Sequence, residues 1–222
     1  MATEPTPTES NAVSTIHIFD CEPSRLDVVR LTLDTTTGLR ITESHRSLDE
    51  GIDSIDLLHP DLVVTACRPG IDFTGLDVIE RLRARQPSPP IVVLTAYPTP
   101  GLALKARRFE RASVISTQLP VTNIVEGLRT ILAGQDVNLG IKEDPFGLTE
   151  AEFESLDSLA LGYSATEIAA QMVLSVSAIS AHIGCLLSKT SSSSQLEAVA
   201  KAIRAGICAP PRFLETGMHP TH

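Results

Sequence analysis

The feature that most constrains the fold is a fivefold alternation of apolar runs and helical segments between residues 15 and 134. A segment with helical periodicity follows each apolar run. The runs lie at residues 16–19, 39–41, 61–65, 91–95 and 113–116. They are continuously apolar rather than alternating, which is typical of strands that helices cover on both faces. The order therefore predicts an α/β domain with a doubly wound parallel sheet of (βα)5 topology.

A second pattern occupies residues 148–207, where the sequence predicts an all-α unit of four short helices with tight breaks between them. Gly162 ends the first helix, and Ser164 forms a capping box for the second helix with Glu167 three residues later. Ser175 is suited to cap a third helix, whose apolar residues recur at three- and four-residue spacing. Two short helices joined by a tight turn, with the second presented outward, form a helix-turn-helix.

Both halves resemble known families. Residues 148–207 resemble the LuxR-type helix-turn-helix through LT-x-x-E at residues 148–152, G-x-S-x-x-E-I-A from Gly162, and His182 in the third helix. Residues 15–134 are similar to a response-regulator receiver domain through the sequences FDCEP, HPDLVV, GLDVIERLR, LTA and LPVTNIVEGLRTILAG. The whole chain is thus similar to the NarL/FixJ group of response regulators. This resemblance implies a DNA-binding transcription regulator.

The receiver-like sequence lacks groups that phosphorylation needs. A phosphorylating receiver uses an aspartate nucleophile, acidic neighbours that hold Mg²⁺, a hydroxyl, and a lysine that pairs with the phosphoryl group. The acceptor position falls on Thr65 or Ala66, neither of which is a carboxylate, and the lysine position falls on Thr117. We therefore predict a receiver that cannot be phosphorylated at this site. The predicted degenerate pocket consists of Asp20, Cys21, Glu22, Thr65, Ala66, Thr95 and Thr117.

Three hypotheses explain what replaces phosphorylation. The domain can be a constitutive dimerisation scaffold, using an apolar stripe of Ile124, Leu128 and Ile131 on its last helix, although the same stripe can simply pack on the sheet. The vacated pocket can bind a small-molecule ligand, because the loss of carboxylates and a lysine leaves a smaller, less charged cleft. Cys21 and Cys67 can instead form a redox-sensitive pair, since both follow adjacent strands.

The resemblance to the LuxR-type architecture assigns the DNA contacts to the third helix, which enters the major groove with its N-terminal half against base edges. The family's base-contacting positions fall on Ser180, Ala181 and Gly184. Lysines are common in the family at the first and third of these positions, and both are absent here. Residues 148–207 carry three basic residues against six acidic ones, and this net charge of −3 predicts poor nonspecific binding to DNA. The predicted DNA-binding residues are Ser175, Ser177, Ser180, Ala181, His182, Gly184 and Lys189.

Two modes of action therefore stay open. A homodimer can double every contact and read paired half-sites in DNA. Alternatively, a degenerate regulator does not bind DNA alone and acts through a protein partner, for example as a heterodimer with a more basic relative.

The remaining segments and the composition complete the prediction. We expect a disordered tail at 1–14, a receiver-like domain at 15–134 and a flexible linker at 135–147. A helix-turn-helix domain at 148–207 and a C-terminal tail at 208–222 follow. The 222-residue chain has a formal charge of −9 and no apolar run long enough to span a membrane, which favours a cytoplasmic protein. Four cysteines and six histidines are scattered without metal-ligand spacing, and no catalytic motif appears. Neither a metal, a cofactor nor an enzymatic activity is expected.

Overall fold

The computed structural model describes residues 13–19, 30, 31, 33, 35–45, 48–66, 75–84 and 88–210. Its N-terminal section, the receiver-like part, alternates strands and helices in the predicted order. The elements are β1 Ser14–Phe19, β2 Leu39–His45, α1 Leu48–Leu58, β3 Leu62–Ala66, α2 Gly75–Arg83, β4 Ile91–Thr95, α3 Pro100–Arg107, β5 Ala112–Ser116 and α4 Val121–Leu132. Residues 30, 31, 33 and 35, between β1 and β2, are also helical.

The five strands form one parallel sheet in the order β2-β1-β3-β4-β5. Buried apolar side chains lie on both faces of the sheet, one set packed under α4 and the other under α1, α2 and α3. The predicted doubly wound parallel sheet is therefore confirmed. The largest difference from the predicted strands is in β2, which continues to His45 instead of ending at Ile41. As an edge strand, β2 pairs on one side only and does not need a continuous apolar run.

The apolar stripe of α4 lies in the core. Ile124, Leu128 and Ile131 are all buried in the cluster on one face of the sheet. The hypothesis that this stripe forms a dimerisation face is therefore wrong, because the same side chains cannot pack on the sheet and on a partner.

The segment after α4 lies along the sheet for part of its length. The N–H of Leu139 donates to the carbonyl of Val114, and the N–H of Ser116 donates to the carbonyl of Leu139, each over 2.9 Å. Gly127 in α4 makes room for this packing, since a Cβ there would lie 2.7 Å from Cδ1 of Leu139. The sequence predicted a flexible linker at 135–147, whereas the structure pairs its middle with backbone groups at the β5 edge that would otherwise lack partners.

The C-terminal section, the four-helix part, contains the four predicted helices. They are α5 Glu150–Ala160, α6 Ala165–Gln171, α7 Val176–Lys189 and α8 Gln195–Ala205. Ser164 forms the predicted capping box with Glu167, and Ser175 caps α7 by accepting from the N–H of Ala178. Gly206 ends α8 in the left-handed conformation, with φ at 73°. None of the described helices is long and apolar enough on its own to cross a membrane, and the bent pair α6 and α7 reaches that length and composition only when counted together.

Helices α3 and α5 join the two parts. Gly101 in α3 lies against Phe153 in α5 so closely that a Cβ on the glycine would be 3.0 Å from the phenylalanine Cβ. Leu104 packs into the same apolar cluster of the four-helix part. Lys105 forms an ion pair with Asp157 over 3.2 Å, but burial raises the pKa of the Asp157 carboxyl and Lys105 only partly opposes the rise. Desolvation thus cancels most of what this pair contributes, and the apolar contact carries the interface.

A forked ion pair lies beside that contact. Arg108 approaches Glu150 to 2.6 Å and Glu154 to 3.1 Å. The hydrogen bond to Glu150 is the main reason that the pKa of Arg108 is raised. Because the arginine side chain is half exposed, water screens the pairs, and each contributes about 1 kcal/mol at most.

We expect the substitution Gly101→Leu to separate the two parts. A leucine side chain would overlap the Phe153 ring, and two packed helices move apart more easily than they compress. Small-angle X-ray scattering should give a larger radius of gyration than that of the wild type, with unchanged helical circular dichroism. Gly184→Leu is the matched control, since a Cβ on this helical glycine meets nothing within 4 Å. An unchanged radius for Gly101→Leu would contradict the α3–α5 packing in solution.

Candidate nucleic-acid interface

Helix α7 has one buried face and one exposed face of small side chains. Ile179, Ile183 and Leu186 are buried against the neighbouring helices. The exposed face carries four small residues at three- and four-residue spacing, which we call the α7 strip: Ser177, Ser180, Ala181 and Gly184. The receiver-like part packs on α5 and leaves this strip open to solvent.

The serine hydroxyls at the start of α7 are oriented by local hydrogen bonds. Oγ of Ser175 accepts from the N–H of Ala178 and lies 2.9 Å from Oγ of Ser177, so these two hydroxyls share one hydrogen bond. The hydroxyl of Ser180 donates to the carbonyl of Val176 over 2.8 Å. A hydroxyl has one donor and two acceptor sites, so Ser180 keeps only acceptor capacity. This suits the amino groups of adenine or cytosine in the major groove.

The other predicted contacts differ in exposure. Ala181 is exposed and presents a methyl group of the kind that meets a thymine methyl. His182 is half-buried and flanks the strip. Gly184 is exposed with no atom within 4 Å of its Cβ position, so the helix backbone can approach a ligand closely there.

Lys189 requires a correction, because the structure uses it inside the four-helix part. Its Nζ lies 2.7 Å from Oε2 of Glu152 and donates to the carbonyl of Gly147 over 2.8 Å. Oε2 of Glu152 also accepts from the N–H of Thr149, and only 5% of the Glu152 side chain is exposed. Lys189 therefore neutralises a buried carboxylate, so its charge is engaged inside the four-helix part rather than free for the predicted contact with DNA. The LT-x-x-E motif of the sequence contains Glu152 but gives no signal for its pairing with Lys189.

The two other basic residues of 148–207 differ in whether their charge is paired within the four-helix part. Nζ of Lys201 donates to the carbonyls of Thr190 and Ser191 and pairs with Glu197 over 2.9 Å. Chiefly through the hydrogen bond from Lys201, the pKa of Glu197 falls to about 2. Arg204 is exposed and forms no ion pair with any residue that the structure describes. The four-helix part therefore offers little free positive charge to phosphates.

The turn between α6 and α7 contains a strained residue. Val173 has φ at 54° and its side chain is 89% exposed. A positive φ is unusual for any residue except glycine, and for a β-branched residue it is a true outlier that typically costs about 1–3 kcal/mol. Strain in the turn that sets the angle between the two helices is consistent with a functional constraint.

We expect Val173→Gly to stabilise the fold by about 1 kcal/mol, because glycine adopts positive φ without strain and little packing is lost at this exposed site. Thermal unfolding should show a midpoint higher by about 2–4 °C. The control is Ala170→Gly, at an exposed position inside α6, which should lower the midpoint instead. Destabilisation by both variants would rule out strain at Val173.

The predicted receiver pocket is described in part. Thr65, Thr95 and Thr117 lie together at the carboxyl ends of β3, β4 and β5, with the first two fully buried. The N–H of Thr117 donates to the carbonyl of Thr95 over 2.8 Å, and Oγ1 of Thr95 accepts from the N–H of Tyr97. Ala66 ends β3.

The acidic and cysteine-containing part of this pocket lies outside the described residues. It comprises Asp20, Cys21 and Glu22, and the redox hypothesis also involves Cys67, which is likewise outside. Asp61 lies at the opposite, amino end of β3, where it accepts from the N–H and hydroxyl of Thr15. Asp61 therefore does not lie with the threonines at the carboxyl ends of the strands.

Comparison with known proteins covers both parts of the chain. No family model matches the sequence. The transcriptional regulatory protein FixJ of Azorhizobium caulinodans is 25% identical over 201 residues, spanning 86% of this chain and 93% of that protein. The transcriptional activator protein ExaE of Pseudomonas putida is 28% identical over 200 residues, spanning 82% of this chain and 92% of that protein.

Solved structures agree with the sequence relatives. RcsB of Salmonella enterica serovar Typhimurium, bound to promoter rprA in the presence of phosphomimetic BeF3⁻, superposes with a TM-score of 0.63 at 20% identity. The match covers 85% of this chain and 98% of the RcsB chain, so the fold is shared across both parts. Taken together, the sequence relatives, the parallel sheet and the capped four-helix part show that this chain is similar, over most of its length, to response regulators of the NarL/FixJ type.

Proposed function

We propose that this response regulator binds DNA through the α7 strip and controls transcription without phosphorylation of its receiver-like part. The observation that carries the proposal is the exposure of the strip in a chain whose receiver-like part packs on α5 instead. The relatives named as transcriptional regulators, and RcsB solved on promoter DNA, support the same class of function.

The chemistry of the strip fits direct readout of bases. The N-terminal half of α7 would lie in the major groove, as recognition helices do. Ser180 would accept a hydrogen bond from a base amino group, and Ala181 would contact a thymine methyl. The Ser175–Ser177 hydroxyl pair, at the positive end of the helix dipole, would hold a phosphate.

Independence from phosphorylation follows from the residues at the end of β3. Thr65 and Ala66 occupy the acceptor positions, and neither offers a carboxylate to a phosphodonor. Thr117 stands where the pairing lysine would be. A small-molecule ligand in this pocket, or dimerisation, would then set the active state.

A dimer would compensate for the weak charge. Two copies double each contact and place two α7 strips on half-sites about 34–36 Å apart. Because the α4 stripe is buried, the dimer would use another surface of the chain. We take the regulator to act in the cytoplasm as a non-enzymatic protein.

A DNA selection experiment tests the proposal. Purified protein without phosphodonor is incubated with random duplexes at low and moderate salt, and light scattering gives the molar mass in parallel. Enrichment of a two-fold symmetric sequence by a dimer supports the proposal, and incubation with acetyl phosphate should leave both the protein mass and the affinity unchanged. A folded protein that enriches no sequence at low salt would overturn autonomous DNA binding.

The charge distribution favours one second candidate, a regulator that acts through a protein partner. Residues 148–207 have a net charge of −3, and Lys189 and Lys201 are both paired internally. A heterodimer with a more basic regulator would supply the missing cations. Enrichment of DNA only after such a partner is added would distinguish this candidate from the first.

A further inference from the structure

A cavity of about 250 Å³ lies between the two parts of the chain. The loop after β4, the segment after α4 and the end of α8 form its walls, and none of the residues predicted for the receiver pocket lines it. Six lining residues matter for its chemistry: Tyr97, Thr99, Lys142, Ile203, Gly206 and Cys208. The cavity is therefore a feature of the packed two-part structure and not of either part alone.

Lys142 is the only basic residue among the described residues that line the cavity. A Cβ on Gly206 would lie 2.7 Å from the lysine Nζ, so glycine at the end of α8 leaves the space that the lysine occupies. Lys142 forms no ion pair or hydrogen bond within the described part of the chain. No aspartate or glutamate appears in the described lining, so the positive charge has no protein counter-charge there.

The rest of the lining is neutral and partly apolar. Burial raises the pKa of the Cys208 thiol to about 12, so this thiol carries no charge at neutral pH. Ile203 presents an aliphatic side chain, while Tyr97 and Thr99, in the loop after β4, add polar groups. Such a combination of one cation and an apolar wall is typical of sites for small amphipathic ligands.

We propose that this cavity binds a small organic anion, with its carboxylate or phosphate at Lys142 and a compact apolar body against Ile203. The volume corresponds to about eight waters at ~30 Å³ each, so the ligand has on the order of ten non-hydrogen atoms. The ligand would contact both parts and thereby stabilise their packing. This inference goes beyond the proposed function and does not depend on it, because the binding requires no DNA.

Lys142 also lies near the C-terminal end of α8, where a cation is favourable for the helix dipole. This purely structural role makes a different prediction. If Lys142 has only this role, its substitution lowers stability, and the wild-type protein does not bind organic anions.

The test measures binding of benzoate, phenyl phosphate and neutral benzamide to the full chain by ligand-observed NMR and calorimetry. We expect both anions to bind with dissociation constants in about the millimolar range, and benzamide to bind at least about tenfold more weakly. The stronger of the two anions identifies the source as a carboxylate or a phosphate ester. Lys142→Met should weaken benzoate binding about tenfold or more while benzamide is unaffected.

Two further variants make the result specific. Arg204→Met removes an exposed cation that does not line the cavity and should leave benzoate binding unchanged. Ala96→Leu fills the cavity and should abolish binding of every probe. The proposal is overturned if neither anion binds the wild-type protein, if Lys142→Met binds benzoate as the wild type does, or if Lys142→Met lowers only the thermal midpoint.

Discussion

Replacing Ser180 and Gly184 by lysine is expected to raise the affinity for duplex DNA about a hundredfold at low salt. Both positions belong to the exposed α7 strip, and Gly184 has no neighbour within 4 Å that a side chain would displace. Each added cation that reaches a phosphate releases about 0.9 counterions. For a dimer with four added lysines, the plot of log affinity against log salt should therefore steepen by about 3 to 4. Fluorescence anisotropy titrations at salt concentrations from about 50 to about 300 mM would measure the affinity and its dependence on salt.

The control for this variant carries the same added charge elsewhere. Thr122→Lys with Asn123→Lys places two lysines on the exposed side of α4, away from the α7 strip. Its affinity should rise much less, because only nonspecific attraction to the whole chain increases. Equal gains for the two double variants would show that α7 is not the helix that faces DNA.

Replacing Lys189 by methionine is expected to lower the free energy of unfolding by about 2–3 kcal/mol. Glu152 is almost fully buried, and the substitution leaves its charge with Thr149 as the remaining hydrogen-bond partner. Breaking a buried ion pair costs about 3–5 kcal/mol, and the partial exposure of Lys189, at 33%, reduces this cost. Urea denaturation followed by circular dichroism would measure the change.

Two comparisons isolate the buried charge as the cause. Glu152→Gln combined with Lys189→Met should recover part of the lost stability, because glutamine keeps the capping box without a charge. Lys201→Met removes a lysine whose partner Glu197 is more exposed, and should cost less stability than Lys189→Met. A larger loss for Lys201→Met than for Lys189→Met would contradict the assignment.

The pH dependence of the Lys189→Met effect has a definite sign. Burial alone would raise the pKa of Glu152, but the hydrogen bonds from Lys189 and Thr149 outweigh it and hold the pKa below its ordinary value of 4.5. The stability from this carboxylate is therefore present above that ordinary value and is lost as pH falls through the lower pKa of the folded state. The difference between wild type and Lys189→Met should shrink in acid.

The same variant also checks the correction to the predicted DNA contacts. If Lys189 contacted a phosphate, its removal would reduce the salt slope by about 1 per site. Because Lys189 pairs with Glu152, we expect the folded variant to keep the slope of the wild type. A reduced slope would return Lys189 to the DNA interface.

Local chemistry explains which expectations the structure confirmed. The capping box at Ser164 and the cap at Ser175 each depend on residues within one helical turn. The parallel sheet follows from the continuous apolar runs, because a strand that helices cover on both faces needs apolar side chains on both faces. The small, neutral α7 strip is likewise visible from helical spacing alone.

The sequence by itself thus determined the order of strands and helices and the capped ends, because these depend on residue type and short-range spacing. Tertiary structure alone decided that Lys189 neutralises Glu152 across 37 positions, that the α4 stripe is buried, and that Gly101 packs on Phe153. It also decided that the middle of the linker pairs with β5. Such pairings depend on which faces of distant elements meet in the fold, and no local periodicity specifies the side chain on the opposite element.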